Sequence, residues 1–358
     1  MFLEFGNTLT IEPGVTVRFD GNYDLWISGR LVAQGTEFNP IRFTSGLSNP
    51  IPGNWKEIRL HQTEYSHKLS FVIIEYAQTG IVNNAGLGTL ATTIDHSTIR
   101  LNSTGISSQK PISISDSIFE GNGTAFSQFA HYLAQISNSV FERNVNGVLY
   151  YGTSGGIQIQ ATTFLSNTNA LQANGLGNIQ YSTFRGNTGS VVQVYQGINF
   201  SNNVLSNNHS SGYVLNIDDT NSTIESNLIE HNSSATAIVR AEQANIGYSR
   251  IYNTIAYNEV PGGGGCIIHF DRSGGAYPNE PNLSYSNIIS NTATYSACMQ
   301  FRITNGDAVW PTNNYWGTAD SAAISQQIYD FYDDHTWGYV VYEPYATSLV
   351  AQAPTPSP

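Results

Sequence analysis

The segment Asp116-Ser117-Ile118-Phe119-Glu120-Gly121-Asn122-Gly123-Thr124-Ala125-Phe126 contains the pattern that decides the fold. A small polar residue is followed two positions later by a large apolar residue, and an asparagine stands three positions further on. The large apolar position recurs, mostly every 20 to 25 residues, as Ile74, Ile99, Phe119, Phe141, Phe164, Phe184, Val204, Ile229, Ile251, Ile288 and Tyr315. Such a period is typical of a solenoid, in which each repeat forms one coil.

The position three residues after each of these is polar in most repeats. It is occupied by Ala77, Asn102, Asn122, Asn144, Asn167, Asn187, Asn207, Asn232, Thr254, Asn291 and Thr318. Helical repeats are excluded because the segments alternate with period two and are rich in β-branched residues. Leucine-rich repeats would need a leucine frame that this sequence lacks. We therefore expect stacked parallel strands, with each asparagine in a turn and its amide bonded to the asparagine of the next coil.

The opening of the chain shows the same strand character. Alternating apolar residues between Thr8 and Ser45 are broken by Pro13-Gly14 and Ser28-Gly29 turns. With the asparagine-marked coils and the segment Asn313-Asn314-Tyr315-Trp316-Gly317, this opening resembles the right-handed parallel β-helix proteins of bacterial surfaces, in the pectin-lyase-like superfold. The resemblance covers residues 8 to about 345. It implies an all-β fold, a right-handed parallel β-helix of about a dozen coils with a short C-terminal helical cap.

The resemblance and the residue pattern together predict three regions. Residues 1–318 form the parallel β-helix, with N-terminal coils over 8–69 and regular asparagine-marked coils over 70–318. Residues 319–348 form the cap, with an amphipathic helix over Ala322 to Asp333 and a closing strand over Tyr339 to Tyr342. Residues 349–358 are a Pro/Thr-rich linker or tail, which is typical of extracellular proteins and suggests part of a larger one.

Composition and charge exclude several function classes. The net charge is −12 and only 11% of residues are charged, so binding to nucleic acid or to acidic membrane surfaces is not expected. No apolar run approaches the roughly 18–20 residues of a membrane span, so membrane insertion is not expected. The sequence shows no signal peptide. Its composition and tail predict an extracellular or cell-surface location.

Standard catalytic motifs are missing from the sequence. It has no Gly-rich phosphate loop, no paired cysteines for zinc, no Gly-x-Ser-x-Gly and no His-Glu-x-x-His. Of the motifs of polygalacturonase-like enzymes, only an Asp-Asp pair is present, at Asp218-Asp219. Seven histidines lack metal-like spacing and are interpreted as surface or turn residues: His61, His67, His96, His131, His209, His231 and His335. Asp330, Asp333 and Asp334 in the cap form either a solvated helix end or a calcium site.

The strands after the asparagine corners contain the best candidate site. We align residues 191–195, 214–218, 238–242, 267–271 and 298–302, which keeps one face apolar throughout. Two columns then face outward. The first column is Gln193, Asn216, Arg240, His269 and Gln300, and the second is Tyr195, Asp218, Glu242, Asp271 and Arg302.

The second column would stack three carboxylates on adjacent coils, about 5 Å apart. Because like charges repel, Arg240, Arg302 or a bound calcium should offset them. Candidate catalytic residues are Asp218, Glu242, Asp271, Arg240, His269 and Arg302. Candidate ligand-binding residues are Tyr150, Tyr195, Asn216, Gln193 and Gln300, where the tyrosines would stack on sugar rings.

Several functions remain open at this point. The charged columns fit a solvated, salt-bridged face, a site that binds a polysaccharide or surface glycan, or the active site of a polysaccharide lyase or glycoside hydrolase. The leading interpretation is an extracellular module for glycan binding, adhesion or structural display. The N-terminal coils lack a polar cap, which also suggests end-to-end stacking into a filament.

The two cysteines test the alignment. In this register Cys266 aligns with Ala237, and Cys298 with Ile267, so the two side chains would face opposite sides without a disulfide. A shift of one residue would instead stack them at a distance that a disulfide can span.

Overall fold

The computed structural model describes residues 1–61, 65–84, 90–129, 131–152, 155–218, 222–242, 251–262, 265–272, 283–301 and 308–357. Short parallel strands dominate, and in each coil the chain passes through a second, a third and then a first sheet. The predicted parallel β-helix is therefore confirmed. The chain divides into two compact units, Met1–Leu176 and Gly177–Pro358.

The first unit contains three parallel sheets. Its first sheet comprises Phe2–Leu3, Asp24–Ile27, Trp55–Leu60, Ala77–Asn83, Thr104–Ser108, Thr124–Gln128, Asn146–Tyr151 and Asn169–Asn174. Its second sheet comprises Thr8–Ile11, Arg30–Gln34, Lys68–Ser70, Thr92–Asp95, Ile112–Ser115, Ala134–Ser137 and Ile157–Gln160. Its third sheet comprises Thr16–Phe19, Ile41–Ser45, Val72–Glu75, Thr98–Arg100, Ile118–Glu120, Val140–Glu142 and Thr163–Leu165.

The second unit repeats this arrangement with fewer strands. Its first sheet comprises Val192–Tyr195, Tyr213–Asp218, Ala237–Glu242, Cys266–Arg272, Tyr295–Phe301 and Ile328–Tyr329. Its second sheet comprises Gly177–Gln180, Ile198–Ser201 and Thr223–Glu225, and its third comprises Thr183–Arg185, Val204–Ser206, Leu228–Glu230, Thr254–Ala256 and Asn287–Ile289. Two small pairs join His209–Ser210 to Ser233–Ser234 and Ala308–Val309 to Tyr339–Val340, and one helix spans Ser321–Ser325.

The corner between the second and third sheets explains the small polar residue of the repeat. A residue with positive φ precedes it, as at Asp116 (φ 50°) and Asn138 (φ 48°), and bends the chain sharply. The backbone N–H of Ser117 donates to the Ser139 hydroxyl at 3.2 Å. At this corner the serine backbone N–H is not bonded to a neighbouring strand, and the serine hydroxyl of the next coil accepts its hydrogen bond instead.

The corner between the third and first sheets contains the asparagine of the repeat. The backbone N–H and Nδ2 of Asn122 both donate to Asn144 Oδ1, at 2.8 and 3.0 Å. Asn144 repeats both bonds to Asn167 Oδ1 at 3.0 Å, and its Nδ2 also donates to the Phe119 carbonyl at 2.9 Å. These side chains are at most 2% exposed. In the second unit Asn187, Asn208, Asn232, Asn258 and Asn291 make the same vertical contacts.

Three repeats are out of step with the sequence alignment. Leu205, not Val204, pairs with Ile229, and Asn208, not Asn207, occupies the corner. In the coil after that of Ile229, the inward position is Ile255 rather than Ile251. There Asn258, rather than Thr254, bonds the neighbouring asparagine. Tyr315 pairs with Asn287, which gives the inward position to the buried Trp316. In these coils the small polar corner residue is itself an asparagine, Asn203, Asn253 or Asn314, which obscured the phase.

Aromatic rings continue the stacking inside the coils. Phe119 and Phe141 are parallel with centroids 4.5 Å apart, and Phe141 and Phe164 are 5.1 Å apart. In the second unit Phe184 contacts Phe200 at 5.9 Å. All five rings are buried, so the repeating large apolar residue forms the core.

His67 lies inside the first unit, which corrects its assignment to the surface. Its side chain is fully buried, and its Nδ1 accepts the backbone N–H of Leu31 at 3.1 Å. Burial first, and the charge of Arg30 second, lower the pKa of His67 to about 4. The imidazole is therefore neutral at pH 7, with its proton on Nε2.

The C-terminal region is less helical than the sequence predicts. The helix ends at Ser325 rather than continuing to Asp333, and Tyr339–Val340 is a two-residue strand. The Asp330 carboxylate accepts the backbone N–H groups of Tyr332 and Val340, which favours a turn over a helix. No helix among the described residues is long enough to cross a membrane. The division at residues 318 and 348 remains a prediction.

The first coil leaves apolar residues uncovered. A cavity of about 340 Å³ there is lined by Leu9, Ile11, Val15, Val17 and Leu25, together with three further residues. End-to-end stacking through this face remains a prediction.

Replacing Asn144 with alanine should destabilise the protein by about 2–4 kcal/mol. The substitution removes two donors and an acceptor from a buried corner and leaves the Asn122 backbone N–H without its acceptor. The free energy of unfolding from urea denaturation measures this loss. Asn49→Ala, at an exposed position, is the control and should change it by less than about 0.5 kcal/mol.

His67 should make stability depend on pH between about 6.5 and 4. In this window the unfolded chain binds a proton at His67 and the folded chain does not, so stability falls as pH falls, by about 3 kcal/mol in total. His67→Gln should flatten this part of the curve of unfolding free energy against pH, and His96→Gln, at an exposed position, should not. Identical curves for both variants would contradict the assignment.

Candidate functional site

The candidate face is the outer side of the first sheet in the second unit, over strands Val192–Tyr195, Tyr213–Asp218, Ala237–Glu242 and Cys266–Arg272. Gln193 pairs with Asn216, Asn216 with Arg240, and Arg240 with His269 on consecutive strands. The predicted register of these four strands is confirmed. Four polar side chains therefore form one column, with one residue on each coil.

The second column runs beside the first on the same strands. Tyr195 pairs with Asp218, Asp218 with Glu242, and Glu242 with Asp271. The backbone of Glu242 takes its predicted place, but its side chain lies outside what the structure describes. Arg302 also lies outside the described residues. The adjacency of Asp218 and Asp271 to the Glu242 position follows from the backbone register alone.

The fifth strand departs from the predicted register. Asp271 pairs with Gln300 and His269 pairs with Cys298, so this strand is displaced by two residues from the alignment. Gln300 therefore belongs to the second column, in the place expected for Arg302. A shift of two residues leaves every position on its original face, so the alternation of apolar residues could not reveal it.

Arg240 connects three coils of the candidate face. Its Nη2 lies 2.8 Å from Asp271 Oδ2, and its Nη1 donates to Asn216 Oδ1 at 3.3 Å. The guanidinium also lies 5.4 Å from the centre of the Tyr213 ring. The Arg240 and Asp271 side chains are only 16% and 17% exposed, so this ion pair is shielded from solvent and holds both groups in place.

The ion pair limits the chemistry that the candidate face can perform. The expectation that Arg240 offsets the stacked carboxylates holds for Asp271. The Asp271 carboxylate already accepts a hydrogen bond from the Arg240 guanidinium, so its Oδ2 is engaged within the protein. Among the described residues, no group of three or more His, Cys, Asp or Glu side chains is arranged to hold a metal ion.

The two candidate tyrosines have different environments. Tyr150 was expected to be exposed, but it is fully buried, and its hydroxyl donates to the Tyr132 carbonyl at 3.4 Å. Burial raises the pKa of Tyr150 to about 12. Tyr150 therefore cannot stack on a sugar. Tyr195 is partly exposed, and its hydroxyl lies 3.5 Å from Gln193 Oε1.

An outward-facing aromatic pair in the first unit was not predicted from the sequence. Phe129 and Tyr151 stack in parallel with centroids 5.1 Å apart, and Phe129 is 56% exposed. Tyr151 follows Tyr150 directly, so strict alternation along Asn146–Tyr151 assigns the two tyrosines to opposite faces. Counting the alternation from the inward Val148 would have identified Tyr151.

A disulfide closes the coil next to the candidate face. Cys266 and Cys298 are bonded, with their Cα atoms 6.1 Å apart. The expectation that these side chains face opposite sides was wrong, because strict alternation fails at the start of Cys266–Arg272, where Cys266, Ile267 and Ile268 are all buried. Cys298 pairs with His269, so the disulfide is adjacent to the first column.

Comparisons with known proteins identify similar folds. No protein-family model and no curated protein sequence matches this chain. Its structure is similar to a mannuronic acid specific polysaccharide family 6 lyase from human gut microbiota, with 10% identity, a TM-score of 0.43, and coverage of 94% of this chain and 91% of that one. It is also similar to the A-module of mannuronan C-5 epimerase AlgE6 from Azotobacter vinelandii, with 14% identity, a TM-score of 0.45, and coverage of 98% and 92%.

A third similar structure is the catalytic unit of a thermostable GH87 α-1,3-glucanase from Streptomyces thermodiastaticus strain HF3-3. The identity is 13% and the TM-score 0.39, with coverage of 96% of this chain and 63% of that one. All three TM-scores are below 0.5, so these similarities carry no argument about the activity of this chain.

Removing the disulfide should destabilise the protein by about 2–4 kcal/mol, because the bond closes a loop with a sequence separation of 32 residues. Urea denaturation of the double variant Cys266→Ser and Cys298→Ser measures the loss. Wild-type protein in reducing agent is the control and should unfold like the double variant. Equal midpoints for oxidised and reduced wild type would contradict a closed disulfide.

Proposed function

We propose that this chain is an extracellular β-helix module that binds a polysaccharide along the candidate face, in adhesion or structural display. The observation that carries the proposal is the column of Gln193, Asn216, Arg240 and His269, with one hydrogen-bonding side chain on each of four consecutive coils. A polymer lying across the strands would meet the partly exposed Gln193, Arg240 and His269 at multiples of the coil spacing of about 4.8 Å, while the buried Asn216 holds Arg240. A polymer of identical units can therefore make similar contacts with several coils at once.

The charges of the face favour a neutral polysaccharide over an acidic one. Arg240 is already paired with Asp271, and Asp218 and Glu242 occupy the same second column. The chain as a whole has a net charge of −12. A polymer of uronic acids would add negative charge to this surface, and in the described part of the face the Arg240 guanidinium that could receive it is already paired with Asp271.

The covalent structure supports an extracellular location. A disulfide between Cys266 and Cys298 persists in oxidising compartments and is rare in the cytosol of mesophiles.

The alternative function is a polysaccharide lyase or glycoside hydrolase acting on a polymer at the same face. Asp271 and His269 are two residues apart on one strand, and Arg240 lies on the preceding strand within contact of Asp271. These are groups that general acid–base chemistry uses. The ion pair favours binding over hydrolysis, because Asp271 Oδ2 is already engaged by Arg240 and would have to leave this contact to act on a glycosidic bond.

Binding should be weakened roughly tenfold by Arg240→Gln and by Gln193→Ala, because each removes a hydrogen-bonding group from the first column. Isothermal titration calorimetry measures the dissociation constant of each variant. The neutral ligands are soluble glucans and mannans, and the acidic ones are alginate and polygalacturonate. Arg143→Gln is the matched control, since Arg143 is an ion-paired arginine in the first unit. Equal weakening by all three variants, or binding of acidic polymers alone, would contradict the proposal.

Product analysis on the same polysaccharides tests the alternative. The binding proposal expects polymer length to stay constant over long incubation. Chain shortening or new unsaturated ends that disappear in Asp271→Asn would establish the enzymatic alternative instead.

A further inference from the structure

Residues 350–357, here called the strap, lie against the outer face of the third sheet in the second unit. The backbone N–H of Val350 donates to Asn287 Oδ1 at 2.9 Å, and Asn287 Nδ2 donates to the Val350 carbonyl at 3.3 Å. One asparagine side chain therefore hydrogen-bonds both the backbone N–H and the backbone carbonyl of one strap residue. This pairing imitates the contact between two strands.

Two further coils contact the strap. The Thr254 hydroxyl donates to the Pro354 carbonyl at 2.5 Å, and the backbone N–H of Ser357 donates to Glu230 Oε2 at 2.7 Å. The strands Asn287–Ile289, Thr254–Ala256 and Leu228–Glu230 are consecutive in the third sheet. The strap therefore crosses three coils and is held by one polar side chain from each.

The strap lies over polar side chains of the sheet, while most of its own residues remain at least partly exposed. Asn287, Thr254 and Glu230 are 3%, 0% and 5% exposed, although all three stand on the outer side of their strands. Within the strap only Ala353 is buried. Because these three side chains are polar, water can solvate them when the strap leaves.

The prolines of the strap suit this mode of contact. Pro354 and Pro356 have no backbone N–H that would need a partner, and their fixed φ keeps residues 354–357 extended. A stiff segment loses little conformational entropy on docking. The hydrogen bonds of Asn287, Thr254 and Glu230 to the strap all involve its backbone, at Val350, Pro354 and Ser357, so these bonds recognise the shape of the backbone rather than a side chain.

We propose that this outer face, formed by Asn287, Thr254 and Glu230, is a recognition site for an extended proline-containing polypeptide segment, which the strap occupies and leaves as a single unit. The same three coils continue into the strands that contain Arg240, His269 and the Cys298 half of the disulfide. The docked strap therefore braces the coils of the candidate face from a different sheet. The inference does not depend on what the candidate face binds.

Hydrogen exchange of the full chain tests the proposal. Asn287→Ala removes both contacts to Val350 and should raise the exchange rate at Val350 and, equally, at Ser357, which contacts a different coil, by roughly tenfold. Gln352→Ala, at an exposed strap position, is the matched control and should leave both rates unchanged. Faster exchange at Val350 alone would overturn release as a unit.

A competition experiment tests recognition of a separate segment. A synthetic peptide with the sequence of residues 349–357, added in excess to the intact protein, should raise exchange at Val350 and Ser357 by holding the face when the strap leaves. A peptide with Pro354 and Pro356 replaced by glycine should compete less. If millimolar wild-type peptide changes neither rate, the face is not a recognition site and the strap is a permanent part of the fold.

Discussion

The coils of this protein depend on side chains that replace backbone partners at sharp corners. At each corner a residue with positive φ turns the chain out of a sheet, and the backbone groups there lose their strand partners. A buried amide accepts an N–H from a neighbouring coil and donates to a carbonyl of that same coil, as Asn144 does with Asn122 and Phe119. Serine hydroxyls perform a simpler version of this task at the other corner. The corners thereby fix the register of every strand between them.

The fixed register determines which side chains are neighbours on the outer surface. Because consecutive strands are in phase, Gln193, Asn216, Arg240 and His269 become neighbours despite separations of more than twenty residues. Arg240 then reaches groups on two other coils and holds the Asp271 carboxylate in place. Among its described residues this surface is rich in hydrogen-bonding groups, and Arg240 is already paired with Asp271, which supports the proposal of a neutral polymer as the ligand.

The coils that carry the candidate face are braced by two further contacts. The disulfide joins Cys266 to Cys298 beside His269 on the first sheet. The strap crosses the third sheet of the same coils through Asn287, Thr254 and Glu230. One contact is covalent and the other consists of a few hydrogen bonds to the backbone, so the two differ in how easily they can open.

The sequence by itself determined the solenoid, the inward phenylalanines, the corner asparagines of the first unit and the register of the four strands from Val192 to Arg272. These features repeat locally, so each copy supports the others. Tertiary structure alone decided the two-residue displacement of the fifth strand, the disulfide, and the burial of Tyr150 and His67. It also decided the docking of the C-terminal residues. Strand alternation has a period of two and is blind to a shift of two, and contacts such as Thr254 with Pro354 join residues that no repeat relates.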